Sequence, residues 1–93
     1  MKVSSISGIA VIDSGSGVCF VSRSFVEKCN LCQIEYDGPV ICAVSGDCFK
    51  PAFAAVLNIE IATVVVQQKC AVIEVFPFDV LLGVNWMRKT NFS

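Results

Sequence analysis

Short apolar runs rich in β-branched residues alternate along the chain with turn residues every several positions, which predicts an all-β protein. Residues 3–6 form a first strand, Ser7-Gly8 a tight hairpin connection, and residues 9–12 the return strand. Residues 13–17 turn, and 18–21 are a further strand. Residues 22–29 break the β pattern: Ser22 or Ser24 can cap a short helix, and Phe25, Val26 and Cys29 fall at helical spacing. Residues 33–36 are a short strand ended by Asp37-Gly38-Pro39, a strong turn signal. Residues 40–44 make a strand, Ser45-Gly46-Asp47 a polar hairpin tip, and Phe49 starts the return. Residues 52–61 are a long strand whose second half alternates apolar and polar. Residues 63–67 and 70–75 form another strand or a bent pair. Residues 78–82 are an apolar strand, Gly83 turns, and 84–89 form a second short helix.

Composition narrows the class. Ninety-three residues make one domain, 1–93, with a limited core. Hydrophobic residues are 55% of the chain and charged ones 16%, more apolar than an average soluble domain, so a subunit interface is an expected place for the excess. The net charge is −1 without a basic stripe, which argues against nucleic acid as a partner. Charges at Asp13, Arg23, Lys50, Glu60, Lys69, Glu74 and Asp79 interrupt every apolar run before it reaches membrane-spanning length. No long apolar segment follows the single N-terminal lysine, so no secretory signal is expected. The chain therefore reads as intracellular, or as a piece cut from a larger polyprotein.

Candidate chemistry is limited by absence. The chain has no histidine, which removes Ser-His and Cys-His nucleophile pairs. Gly15-Ser16-Gly17 has the spacing of neither a phosphate loop nor a nucleophile elbow. There are six cysteines, at 19, 29, 32, 42, 48 and 70. Cys29 and Cys32 have metal-ligand spacing, but a zinc site needs two more ligands and the hairpin around Cys42 and Cys48 suits that poorly. The expectation is no metal, no cofactor, and six reduced, mostly buried thiols acting as small apolar side chains. What remains is carboxylate chemistry, centred on an apolar strand that delivers Asp13 into a glycine turn.

These residues carry a resemblance. Ile12-Asp13-Ser14-Gly15-Ser16 resembles the Asp-Ser/Thr-Gly-Ala/Ser signature of retropepsin-like aspartic proteases. Phe78-Asp79-Val80-Leu81-Leu82-Gly83-Val84-Asn85-Trp86-Met87 resembles their second landmark, and its tryptophan is similar to proteases of gypsy-type LTR retrotransposons. Ala43 to Asp47 stands where that family has its flap. The resemblance implies an acid-protease fold: a closed β-barrel with short helices near 22–29 and 84–89, one lobe per chain. It implies a homodimeric aspartic endopeptidase acting on a peptide or polyprotein substrate in retroelement processing. Asp13 would be the catalytic residue, one from each subunit, with Ser14, Gly15 and Ser16 as the active-site loop. Ser14 would bond across the interface and Ser16 would donate towards the carboxylate. Val44, Ser45, Gly46 and Asp47 would form the substrate-binding flap, and Leu81, Leu82 and Gly83 would line the substrate pocket. Residues 88–93 would carry much of the dimer contact. Asp79 reads as a structural hydrogen-bonding residue and Trp86 as core or interface packing. Gly17 and Asn85 depart from the usual pattern. The alternative is a weak or inactive dimerisation or peptide-binding module on the same fold.

Overall fold

The computed structural model describes residues 1–43 and 45–91. In chain order the elements are β1 (Lys2–Val3), β2 (Ile6–Ser7), β3 (Ala10–Ile12), β4 (Phe20–Ser22), α1 (Arg23–Lys28) and β5 (Ile34–Glu35). They continue with β6 (Ile41–Cys42), β7 (Cys48–Phe49), β8 (Phe53–Ile61), β9 (Val64–Ile73), β10 (Val80–Leu82) and α2 (Val84–Thr90). The expected all-β, acid-protease architecture is what the chain adopts. One sheet, ordered β2-β1-β8-β9-β4-β10-β3 with β5 beside β8, curls into a half-barrel. A separate two-stranded sheet, β6-β7, stands off it.

The long β8–β9 hairpin is the frame. Its alternation appears directly as burial: Ala55, Leu57 and Ile59 point into the core, while Val56, Asn58 and Glu60 face out. Burying side chains the size of Leu57 or Ile59 stabilises the fold by roughly 1.5–3 kcal/mol each. Leu57 and Ile59 pack with Val3, Val21, Phe25, Val26, Val80, Leu82 and Trp86 in one continuous cluster. Trp86 is therefore core, and it fixes α2 against the sheet. Ser22 is the cap of α1, its Oγ accepting the Phe25 N–H at 3.2 Å.

One segment differs from the sequence expectation, and at another the structure chooses between two expected alternatives. The first hairpin turns at Ser4-Ser5, not at Ser7-Gly8: both serines take positive φ, 51° and 68°, and Lys2 pairs with Ser7. Gly8 has a packing role instead, because a Cβ there would lie 2.7 Å from the Phe25 ring. Of the two alternatives for residues 63–67 and 70–75, the chain takes the single strand: β9 runs unbroken over Val64–Ile73, since pairing with β8 continues from Ile61–Val64 to Ala54–Ala71.

The N-terminal strands end far apart. The β1–β2 hairpin lies at one edge of the sheet, whereas β3 crosses to the other edge and runs parallel to β10. That placement needs a long-range partner. Asp79 supplies it, accepting the Ile9 N–H on Oδ2 at 2.8 Å and donating its own N–H to the Ile9 carbonyl at 3.1 Å. This is the structural role expected of Asp79.

Candidate active site

Asp13 follows the last residue of β3, where Ile12 is in register with Leu82 of β10. Its N–H donates to the Leu82 carbonyl at 3.0 Å, so the sheet ladder holds the backbone of the candidate catalytic residue itself. The chain then turns at once. The Gly15 N–H donates to Asp13 Oδ1 at 2.8 Å and the Ser16 N–H to the Asp13 carbonyl at 3.2 Å. A Cβ on Gly15 would stand 3.2 Å from Oδ1, tighter than an ordinary contact, which accounts for glycine beside the carboxylate. The rest of the Asp13 side chain is exposed on the single chain.

The turn is clamped from below by the second landmark. The Val84 N–H donates to the Ser16 carbonyl at 2.8 Å. Gly83 is packed so tightly under the loop that a Cβ would fall 2.5 Å from the Ser16 carbonyl oxygen and 3.0 Å from that of Val18. Gly83 is also the first residue outside α2 and has no side chain with which to cap it. Cys19 caps the helix in its place, its sulfur accepting the Gly83 N–H at 3.3 Å and that of Trp86 as well. The hydrogen bond from Cys70 and these helix-end donors hold the Cys19 thiol down at about 6, against the opposing effect of burial. The same Cys19 contact, with burial, pushes the Cys70 thiol well up.

The cleft above Asp13 has a volume of about 490 Å³. Its floor is Asp13 with Gly15, Ser16 and Gly17; its walls are apolar, with Val18 and Phe20 on one side and Ile73 and Phe76 beyond them. Ile41, Cys42, Ala43 and Phe49 of the β6–β7 hairpin form the roof. Val18, Phe20 and Ile41 pack against a small second cluster, Tyr36, Ala54 and Ala71, which ties these walls to the sheet. The hairpin tip is shaped by Gly46 at φ +95°, by a bond of 2.9 Å from its N–H to the Ala43 carbonyl, and by Ser45 Oγ, 3.3 Å from Asp47 Oδ2. Cys42 and Cys48, opposite each other in the hairpin register, are joined by a disulfide.

Several expectations are corrected here. Ser16 does not donate to the carboxylate: its hydroxyl donates to the Val18 carbonyl at 2.6 Å and braces the loop. Leu81, Leu82 and Gly83 do not line the cleft. Leu82 is fully buried in the core, Leu81 pairs with Phe20 and Val11 in the sheet, and Gly83 sits beneath the turn. Ser45, Gly46 and Asp47 form the exposed tip of the hairpin whose stem residues line the cleft, and Val44 lies outside the described residues. The roof comes from the hairpin stems. The cysteines are not all reduced, nor mostly buried: Cys19, Cys29 and Cys70 are buried thiols, Cys32 is an exposed thiol, and Cys42 and Cys48 form the exposed bridge. Residues 88–90 belong to α2, and Phe92 and Ser93 lie outside the described residues. Among the described residues, no group of three or more His, Cys, Asp or Glu is placed to hold a metal, and no helix is long and apolar enough to cross a membrane.

Sequence reasoning missed Val18, Phe20, Ile41, Phe49, Ile73 and Phe76 as cleft residues. A signal was present in β4, where Phe20 and the buried Val21 face opposite sides of the sheet, but no local pattern tells which outward side faces a cleft. The sequence model of the family described as retroviral aspartyl protease matches residues 1–93. No curated protein matches the chain.

Proposed function

The chain belongs to the retroviral aspartyl protease family, and from that premise we propose that it works as a homodimeric endopeptidase on a polyprotein of its own element. The observation that carries the proposal is an exposed carboxylate, Asp13, whose backbone the sheet holds at the floor of an apolar cleft. A single carboxylate cannot be ionised to take water's proton and protonated to polarise the carbonyl in the same step. A second copy of the chain, bringing its own Asp13 across a twofold axis, supplies the missing group. Two carboxylates about 3 Å apart cannot both ionise, so they share one proton. The ionised Asp13 takes a proton from a water molecule, which attacks the peptide carbonyl. The protonated Asp13 donates towards the carbonyl oxygen as charge develops there.

The surface around Asp13 suits such a partner. Ile9 and Ile12, at the edge strand β3, are exposed, as is Ser14 beside the carboxylate. An edge strand with bare apolar side chains is a place where a second copy gains burial. Ser14 is assigned the bond between the two loops. The apolar walls favour a substrate with large apolar residues beside the scissile bond.

The deciding experiment is cleavage of an apolar peptide by the wild type and by Asp13→Asn, with oligomeric state followed by sedimentation. Cleavage by a wild-type dimer and none by the variant is the expected result. Full activity in the folded variant overturns the mechanism. Peptide binding without cleavage by the wild type favours a peptide-binding module instead.

A further inference from the structure

The disulfide between Cys42 and Cys48 lies in a part of the cleft wall that has no strand pairing with the main sheet among the described residues. Strands β6 and β7 are two residues each and, among the described residues, pair only with one another. A two-stranded hairpin of this kind is at best marginally stable in water. Among the described residues, what else closes it is slight: the Ala43 N–H bond to the Asp47 carbonyl at 2.8 Å, the Gly46 turn, and Ile41 resting on the second cluster. Yet this hairpin supplies Ile41, Cys42, Ala43 and Phe49 to the roof over Asp13. The order of the roof therefore depends on a covalent bond made by a residue of the roof itself.

Access is selective. Cys42 and Cys48 are exposed, whereas Cys19, Cys29 and Cys70 are buried. Thiol–disulfide exchange needs a thiolate to reach a sulfur. A soluble dithiol reaches this bridge without opening the core.

We propose that Cys42–Cys48 is a reversible redox-modification site that sets how well the cleft holds a peptide. In the oxidised chain the bridge pins Ile41 opposite Phe49 and keeps the roof formed. A dithiol reductant attacks one sulfur, the S–S bond breaks, and a mixed disulfide forms. The second thiol of the reductant displaces the chain, leaving two cysteine thiols here and a disulfide on the reductant. Two electrons and two protons have moved, and a disulfide oxidant reverses the step. In the reduced chain the hairpin opens, and peptide binding must pay for closing it again. For a bridge spanning six positions, the loop-closure entropy released on reduction bounds the loss of peptide affinity at roughly fortyfold. The catalytic consequence rests on the endopeptidase reading; the effect on binding does not.

The test compares full-length wild type, oxidised and after dithiothreitol treatment, with thiols counted by mass spectrometry after alkylation. Amide hydrogen exchange over residues 40–49, KM and kcat for an apolar peptide, and affinity for a statine-containing peptide are measured in both states. On reduction, exchange in the hairpin should quicken and KM rise, by at most about fortyfold, with kcat changing less. Cys42→Ser/Cys48→Ser should behave like reduced wild type in either buffer, and Cys32→Ser should keep the full redox response. Equal exchange and equal peptide affinity in the two states, with the bridge shown to be cleaved, overturns the latch. Global unfolding on reduction, seen by circular dichroism, also overturns it, since the bond is then a plain staple. Redox-dependent peptide affinity without cleavage in either state supports the latch and sinks the endopeptidase reading. Cleavage and affinity both indifferent to redox state do the reverse.

Discussion

Asp13 contributes little to holding the fold. Its side chain makes a local bond, to the Gly15 N–H, and is otherwise exposed. Asp13→Asn keeps an oxygen acceptor there, so its stability should stay within about 0.5 kcal/mol of wild type by chemical denaturation, while peptide cleavage falls to background. Cys19 is the opposite case: it is buried beneath the active-site turn, and its sulfur receives N–H groups at the start of α2. Cys19→Ala removes the sulfur that accepts the Gly83 N–H and should lower stability by about 1–2 kcal/mol, with Cys19→Ser less affected. The pH dependence follows from the same contact. The folded chain holds the Cys19 thiol at about 6, below its ordinary 9.0. Between those values the unfolded chain binds more protons, so stability rises with pH from about 6 to 9. It is lost as pH falls through the folded value. Denaturant midpoints across that range should climb in wild type and flatten in Cys19→Ser.

At the level of elements, the active-site turn is a layered object: β10 and the start of α2 lie under the loop that β3 delivers. Gly83 is the point of closest contact, and the obstacle to a side chain is backbone oxygen that cannot move aside. Gly83→Ala should destabilise by about 2–4 kcal/mol in equilibrium unfolding, and activity should fall with it because Ser16 and the turn must shift. The β1–β2 turn offers the reverse test. Ser4 and Ser5 both hold positive φ, which suits Asn-Gly far better than serine. Ser4→Asn/Ser5→Gly should raise the unfolding free energy by about 0.5–1 kcal/mol without changing cleavage, since this hairpin lies at the sheet edge opposite β3.

For the whole molecule, the proposed dyad makes oligomeric state and activity one quantity. If each subunit brings one Asp13, activity per subunit should rise with protein concentration through the dimer dissociation constant and then level off. A statine-containing peptide should move that rise to lower concentration, because a ligand that binds only the dimer stabilises it by mass action. Sedimentation and initial rates over the same dilution series check both. Activity proportional to concentration in a monomeric sample would end the dyad argument.

Local patterns and two motifs were enough to determine the β class, the two short helices, the long alternating strand β8, and the pairing of an Asp-Ser-Gly turn with a distant Leu-Leu-Gly landmark. The class, the helices and the alternating strand rest on periodicity and turn chemistry within a few residues, which is what a sequence writes directly; the pairing of the two motifs rests on the family resemblance. The tertiary structure decided what the same residues touch. It turned Leu82 and Gly83 from pocket candidates into the foundation of the turn, and sent the Ser16 hydroxyl to Val18. It moved the first turn back to Ser4-Ser5 and packed Gly8 against Phe25. It gathered Phe20, Ile41, Ile73 and Phe76 from separate strands and a loop into one cleft, and set Cys42 opposite Cys48. Those outcomes depend on strand register and on packing between distant segments. An apolar side chain reads alike in sequence whether it fills a core or walls a cleft; only the neighbours brought by the fold tell the two apart.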